Sequence, residues 1–385
     1  MKKRTGESVS PAPRILMVNY EFPPLGGGSG NATLHLLKEL ARQGEVEVDL
    51  VTSGTGPREV RESLSANIQI DRVPIVKKQL HYWTAPEILE WFLRAGRKID
   101  RLLQKKRYDL CHCWGGWPSG LIGQRHRNKM PYAVALRGSD VPGYNPRLRV
   151  LDPLFLRPVS RPIWRNAAVV TCVSQFLCDL ARRTEPNIPY EVIRNGVDCE
   201  RFQPGRRPEK LAFLFVGRLI GRKGVGDLLD AFRMVARDVP EAVLHIVGGG
   251  PDRNRLAASQ QGMNGRVFFH GPAEADELPD IYRNASVFVM PSIEEAMSNA
   301  TLEAMASGLP VITTRTGVSE VIDGNGIIVA KRNPGEIADA MRRYASERQW
   351  IEQHGRRSRE IAETMTWAAV ARAYCDAYDR ILGAR

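Results

Sequence analysis

The sequence predicts an α/β protein of two similar halves, each a parallel sheet with helices on both faces. Three observations predict it. At 385 residues the chain is too long for one ordinary core. Strand-like apolar runs alternate with amphipathic helix-like stretches in both halves, at the spacing of parallel βαβ units. Between the halves, "IRNGVDCERFQPGRRPEK" carries the Asn-Gly and Pro/Arg punctuation of a turn and linker. The expected units are Rossmann-like, over residues 1–205 and 206–365, with a hinge near residue 205. In such sheets ligands sit at the C-terminal strand edges. Two edges facing each other make one deep cleft.

In the first half, "RILMVNYEF" reads as a strand, "PPLGGGSG" as a Pro/Gly loop and "NATLHLLKELARQG" as a helix. Leu34, Leu37, Leu40 and Ala41 are its expected apolar face. "VEVDLVTS" is the next strand. The second half repeats the order. "KLAFLFVGRL" is a strand, "IGRKGV" a glycine- and cation-rich turn and "GDLLDAFRMVARDVP" a helix. "AVLHIVGGGP", "RVFFHGP", "ASVFVMPS" and "LPVITTRTG" are further strands with helix-like segments between them.

Composition narrows the function classes. With 43% hydrophobic and 25% charged residues the chain is of ordinary globular type. No apolar run approaches the roughly 20 residues that span a bilayer. The leading "MKKRTGESVSPAPR" is basic without an apolar stretch behind it, so a leader is expected there rather than a signal peptide. A cytoplasmic protein is expected. Its six scattered cysteines (Cys111, Cys113, Cys172, Cys178, Cys199, Cys375) read as core thiols rather than a zinc site. Residues 1–205 hold 31 Lys and Arg against 20 Asp and Glu, a net +11; residues 206–385 hold 24 against 23, a net +1. A basic half suits phosphorylated substrates, an anionic membrane or nucleic acid. No helix-turn-helix, zinc-finger or aromatic–basic RNA pattern appears, so nucleic acid is not an expected partner.

Several loops fit a phosphorylated polyol. Gly26 to Gly30 follow the first strand and open the first helix, where glycine permits close approach and a helix start favours an anion. Gly27 and Gly28 are the candidate contacts, a flexible turn being the plain alternative. As a dinucleotide fingerprint the loop fails, since Asn31 or Thr33 stands where the third glycine belongs and Asp49 lies inside a strand. Arg218 and Lys223 occupy the corresponding place in the second half; Arg grips phosphate by a fork and Lys as a point charge. The third loop, Gly248 to Leu256, reads as a glycine turn packed near the site without charged contact. In "EEAMSNATLEAMASGLPV", Glu295 sits in the loop after a strand and Glu303 one turn inside the next helix. Ser298 or Asn299 can cap that helix, and Asn299 shares a face with Glu303. Carboxylates flanking free amides suit hydroxyls and phosphates.

These residues resemble the retaining glycosyltransferases of the GT-B fold, family 4, over nearly the whole chain. "EAMSNATLEAMASGLPV" is similar to the family's E-x7-E motif, "FVGRLIGRKG" to its phosphate-contacting Arg and Lys, and "IRNGVDCERFQP" to its N-G-V-D segment. "NYEFPPLGGGSG" resembles its N-terminal glycine loop, and "MTWAAVARAYCDAYDRIL" its C-terminal helix, which makes residues 366–385 a return onto the first domain. The resemblance implies a nucleotide-sugar donor, such as a UDP- or GDP-sugar, against the second domain. Glu303 would bind ribose hydroxyls, Arg218 and Lys223 the diphosphate, Glu295 with the 296–299 backbone (Met297, Ser298 and Asn299 included) the sugar, and the backbone around His270 the base. Where relatives carry a histidine before Gly-x-Asp, "ALRGSDVPG" has Arg137. Arg stays protonated and is no base, but can clamp a sugar or phosphate. Asp140 has two readings, a catalytic-site acid or a turn residue bonding nearby backbone. No D-x-D pair ends a strand, so no metal and no cofactor is expected. The activity implied is transfer to a glycan or lipid-linked hydroxyl in envelope or exopolysaccharide synthesis. A sugar phosphorylase and a non-catalytic sugar-nucleotide binder are the rivals.

One basic segment stands apart. "RLRVLDPLFLRPVSRPIWRNA" interleaves Arg147, Arg149, Arg157, Arg161 and Arg165 with Leu151, Leu154, Phe155, Leu156 and Trp164. It reads either as core packing with solvated arginines or as a surface for an anionic membrane at its inner face. Prolines 153, 158 and 162 predict a short, irregular element.

Overall fold

The computed structural model describes residues 12–77, 79–80, 82–146, 150, 152–260, 263 and 265–384. The leader up to Pro11, and Arg147, Arg149 and Leu151 of the arginine-rich segment, lie outside the described residues. The first half forms β1 (Arg14–Val18), β2 (Glu47–Gly54), β3 (Val60–Ser65), β4 (Ile68–Pro74), β5 (Leu110–Trp114), β6 (Tyr132–Leu136), β7 (Val169–Cys172) and β8 (Glu191–Val192). They make one sheet in the order β3-β4-β2-β1-β5-β6-β7-β8, parallel except for β3 on β4. The second half forms β9 (Ala212–Val216), β10 (Val243–Val247), β11 (Val267–Gly271), β12 (Val287–Met290), β13 (Val311–Thr314) and β14 (Gly326–Val329). This sheet is parallel, in the order β11-β10-β9-β12-β13-β14. The apolar runs of β5, β6, β9 and β12 are buried throughout, as strands covered on both faces require.

Helices cover both faces: α1 (Gly28–Gln43), α2 (Ala85–Lys105), α3 (Ser119–Arg125), α4 (Arg157–Arg165), α5 (Gln175–Arg182), α6 (Val225–Asp238), α7 (Arg253–Ala258), α8 (Leu278–Arg283), α9 (Asn299–Ala306), α10 (Pro334–Ser346), α11 (Gln349–Thr364) and α12 (Trp367–Gly383). Among the described residues none is long and apolar enough to cross a membrane. The buried face of α1 is Thr33, Leu36, Leu37 and Leu40; Leu34 and Ala41 are only half-buried. The face is turned because α1 packs both on its sheet and against α12 beside it, whose Trp367, Ala371, Tyr374 and Tyr378 join the same apolar cluster as Leu36 and Leu40. His35 stacks on Trp367 at 5.3 Å.

The arginine-rich segment is short and irregular, as its prolines predict. A π-helical turn (Asp152–Leu156) runs straight into α4. Pro158 falls in the first turn, where no N–H is needed, and only Pro162 is interior. Two of its arginines are structural. Arg161 donates to the Thr184 carbonyl at 2.9 Å, and Arg165 pairs with buried Glu185 at 2.6 Å.

Two chain segments cross between the sheets, and they run side by side. The Val197 N–H donates to the Met365 carbonyl at 2.8 Å, in a parallel bridge beside Thr366. Arg359 of α11 donates to the carbonyls of Cys199, Phe202 and Ala306, tying the crossover to the end of α9.

Candidate active site

Strand order locates the site. In each sheet the first strand, β1 or β9, lies between a strand that follows it on one side and β5 or β12 on the other. At such a switch point neighbouring loops diverge and leave a crevice. The crevice loops are those after β1, β5, β9 and β12, and they hold most of the residues singled out in the sequence.

The second-domain wall is built on the loop from β12 to α9. Ser298 caps α9, its hydroxyl accepting the Thr301 N–H at 3.2 Å. Glu295, buried in that loop, makes an ion pair with Lys223 from the loop after β9. Burial presses the Lys223 ammonium down from its usual pKa, and the Glu295 charge opposes this. Arg218 is exposed at the end of β9, and its charge is felt by Tyr20 and Glu21 of the first domain. Glu303, one turn into α9, accepts the Tyr282 hydroxyl at 2.8 Å; burial raises its pKa and that bond opposes the rise. Gly248 and Gly250 admit no side chain, because a Cβ would lie 1.9 Å from the Gly217 carbonyl oxygen and 2.4 Å from that of Leu219. The His270 side chain is turned to the surface, with Nε2 2.9 Å from His245 Nδ1, which leaves the backbone at the end of β11 for the cleft.

The first-domain wall faces it. A Cβ on Gly27 would meet nothing within 4 Å, and one on Gly28 only the Asn299 amide at 3.8 Å. Asn299 donates to the Gly28 carbonyl at 3.3 Å, so the starts of α1 and α9 meet across the cleft. The other end of the Asn299 amide accepts from Asn195 at 2.7 Å. Asn195 in turn accepts from Arg137, whose guanidinium stacks 4.2 Å over the Trp114 ring. Arg137 Nε has no partner among the described residues, and burial lowers the pKa of the group. Asp140 accepts the N–H groups of Gly116 and Gly138, each at 2.7 Å, and of Arg137 at 3.0 Å. Burial raises its pKa and these amides oppose the rise. The carboxylate therefore holds the loops after β5 and β6 together, which is the turn reading extended to a second loop.

Three residues at this cleft escaped the sequence. Glu21 takes the Gly27 N–H on its carboxylate; burial raises its pKa and Arg218 opposes this most. Tyr144 accepts the Ala296 N–H at 3.1 Å, beside Glu295. Asn195 lies in the N-G-V-D stretch, to which the sequence assigns a turn and a family resemblance but no contact in the cleft. Among the described residues no group of three or more His, Cys, Asp or Glu is placed to hold a metal ion.

Comparison with known proteins gives this geometry a family. Residues 26–201 match the family described as Glycosyltransferase Family 4, and residues 210–347 that described as Glycosyl transferases group 1. A D-inositol 3-phosphate glycosyltransferase of Streptomyces bingchenggensis is 33% identical over 423 residues, covering 95% of this chain and 89% of that one. The chain belongs to the group 1, family 4 glycosyltransferases. Its fold is GT-B. Sucrose-phosphate synthase from Thermosynechococcus elongatus superposes with a TM-score of 0.84 at 23% identity, over 97% of this chain and 100% of that one. HepE of Anabaena, solved with UDP and glucose, superposes with a TM-score of 0.71 at 16% identity, over 94% and 98% of the two chains. As a glycosyltransferase the protein is an enzyme.

Proposed function

We propose that this enzyme moves a sugar from a nucleotide-sugar donor, a UDP- or GDP-sugar, to a hydroxyl of a glycan or lipid-linked acceptor, with retention at the anomeric carbon and without a metal ion. The setting proposed is envelope or exopolysaccharide synthesis at the inner face of the cytoplasmic membrane. One observation carries the reading: the capped start of α9, with the Glu295–Lys223 pair beside it, meets the unobstructed Gly27–Gly28 backbone across the cleft.

In this reading Glu303 takes ribose hydroxyls, Arg218 and Lys223 the diphosphate, and the backbone around His270 the base. A diphosphate competes for the Lys223 ammonium and frees Glu295 to accept from sugar hydroxyls, with the amides of Met297, Ser298 and Asn299 beside it. The bond from the anomeric carbon to the phosphate oxygen breaks, and its electrons leave with the diphosphate. The acceptor oxygen bonds the same carbon on the same face, and its proton passes to the departing phosphate oxygen. Arg218, Lys223 and the α9 amides supply the positive potential that a metal supplies elsewhere. Arg137 supplies a fixed cation on the far wall, not a base.

Thermal unfolding with a panel of nucleosides and nucleoside diphosphates tests the reading. A ligand at a hundred times its Kd adds about 2.7 kcal/mol of stability. Arg218→Ala and Lys223→Ala should abolish most of the shift from the diphosphate and leave that from the nucleoside. Equal losses for both ligands, or no shift from any nucleoside diphosphate or nucleotide sugar, reject it. Transfer that stops when chelator is added rejects the metal-free part.

A further inference from the structure

We infer that the helical face of the first domain beside the cleft mouth docks on an anionic lipid bilayer. The inference rests on the proposed placing of the donor against the second domain, which leaves the first domain as the acceptor side, and it names the partner from which a lipid-linked acceptor enters.

The topology fixes where the face lies. β4, β5 and β6 run in the same direction as β1, so the segments after them emerge at the cleft edge. The loop before α2 touches the glycine loop there, its Leu80 carbonyl accepting the Gly26 N–H at 2.9 Å. From that edge α2, α3 and α4 run back side by side. Asp100 of α2 pairs with Arg125 of α3 at 2.9 Å, and the Trp117 ring lies 6.4 Å from that of Phe155.

Apolar and basic groups are sorted along this layer. Eight of the twelve large apolar side chains that are exposed among the described residues sit at its cleft-side end. Val76 (77%) and Tyr82 precede α2, Leu89 and Leu93 lie in its first half, and Leu154 (78%) and Phe155 lie in the π turn before α4. Behind this rim the helices are basic. Residues 85–105, 119–130 and 152–165 hold 11 Lys and Arg against 4 Asp and Glu. Those acids are engaged: Glu87 pairs with Lys77, Glu90 with Arg94 and Asp100 with Arg125, and buried Asp152 accepts the Gly143 N–H. Arg97, Lys105 and Lys129 are exposed in the basic zone. An apolar rim that enters the boundary of headgroups and acyl chains, followed by a basic zone at headgroup level, is the charge pattern of a surface complementary to an anionic bilayer. The rim borders the cleft mouth, so a lipid-linked hydroxyl reaches the sugar without leaving the surface.

Vesicle flotation tests this. The full chain should float with vesicles of phosphatidylcholine and phosphatidylglycerol in equal parts, should stay behind with phosphatidylcholine alone, and should bind less as salt rises. Arg97→Gln, Lys105→Gln and Lys129→Gln should each weaken binding about fivefold. Leu89→Ser with Leu154→Ser and Phe155→Ser should weaken it about tenfold or more. Because these side chains are exposed, both sets should keep the wild-type Tm. No binding to anionic vesicles at low salt, equal binding to neutral ones, or binding that both variant sets preserve overturns the inference. So does retention on soluble heparin without flotation, which would mark the face as a polyanion site. The nucleoside-diphosphate thermal shift on the same samples separates the two proposals. A shift without flotation rejects only the docking, and flotation without a shift rejects only the donor reading.

Discussion

Asp140 accepts three backbone N–H groups from two different loops, at Gly116, Arg137 and Gly138. Removing a partner from buried donors costs about 1–3 kcal/mol for each one left unpaired. Asp140→Ala should therefore lower stability by about 3 kcal/mol in urea unfolding, whether or not the residue meets substrate. Asp140→Asn keeps one accepting oxygen and should recover about half of that. An unchanged midpoint for the Ala variant would leave the loops held by something else. His112 is a second buried group with a measurable sign. Burial beneath α12, where Nδ1 lies 2.7 Å from the Tyr378 hydroxyl, pushes its pKa down to about 3. Unfolded, it takes up a proton near pH 6.5. Its contribution is thus fully present above pH 6.5 and is lost as pH falls from there toward 3. By pH 5 the loss is about 2 kcal/mol. His112→Gln should flatten the fall in urea midpoint between pH 7 and pH 5; a variant with the wild-type slope would show that other groups set it. At this scale the sequence was legible where chemistry and spacing coincide. Glu295, Ser298 and Glu303 share one loop and one helix start, so local pattern exposes them. Tyr144 and Asn195 act on groups 152 and 104 positions away, and no local pattern encodes that.

β1, β2 and β9 to β13 are legible as apolar runs bounded by Gly and Pro, whereas β4, β6, β7, β8 and β14 are not singled out by the sequence. The antiparallel edge strand β3, with its exposed and half-buried "VRESLS", has no such run and went unread. The arginine-rich segment is legible as short and irregular because Pro153, Pro158 and Pro162 limit it to a π-helical turn and a nine-residue helix. The crossover was read as a linker, and its glycine shows what that reading missed. A Cβ on Gly196 would lie 2.6 Å from the Trp367 nitrogen and 2.8 Å from its Cα. The two crossing segments touch there backbone to backbone. Gly196→Ala must push them apart, and overpacking of this kind costs about 1–3 kcal/mol. The displaced element is α12, which packs on His112 and against α1. Gly196→Ala should therefore speed limited proteolysis near residue 366 along with the loss of stability. Cleavage at the wild-type rate would mean that the contact yields without freeing α12. The Gly26 to Gly30 loop makes the complementary case. Gly26 sits at φ +94°, where a Cβ would lie 2.6 Å from that of Glu21, so it serves the loop itself, while a Cβ on Gly27 would meet nothing within 4 Å.

The net +11 lies in the half whose helical layer flanks the cleft mouth, and the near-neutral half carries the Lys223–Glu295 pair. Contacts across the cleft hold the halves face to face. Asn299 reaches Gly28 and Asn195, Tyr144 meets the Ala296 N–H and Arg222, and Glu320 reaches α5. The last is the most separable from chemistry. Glu320 accepts the N–H groups of Gln175 at 2.9 Å and Phe176 at 2.6 Å, at the positive end of α5, and the Arg194 guanidinium at 3.2 Å. A carboxylate at a helix start contributes about 0.3–1 kcal/mol from the dipole, and charge-assisted hydrogen bonds add to it. Loss of about 1.4 kcal/mol from the closed arrangement is a tenfold change in its population. Because Glu320 bonds Arg194 and the start of α5 rather than any proposed donor contact, Glu320→Ala should act on closure and not on transfer. Donor KM should rise up to about tenfold while kcat at saturation is kept, since bound donor restores the closed form. The radius of gyration of the free enzyme in small-angle scattering should increase, and donor should bring it back to the wild-type value. A rise in KM without that change in size would place the effect in the donor site itself. A wild-type radius and KM together would mean that the remaining contacts between the halves hold them closed without Glu320.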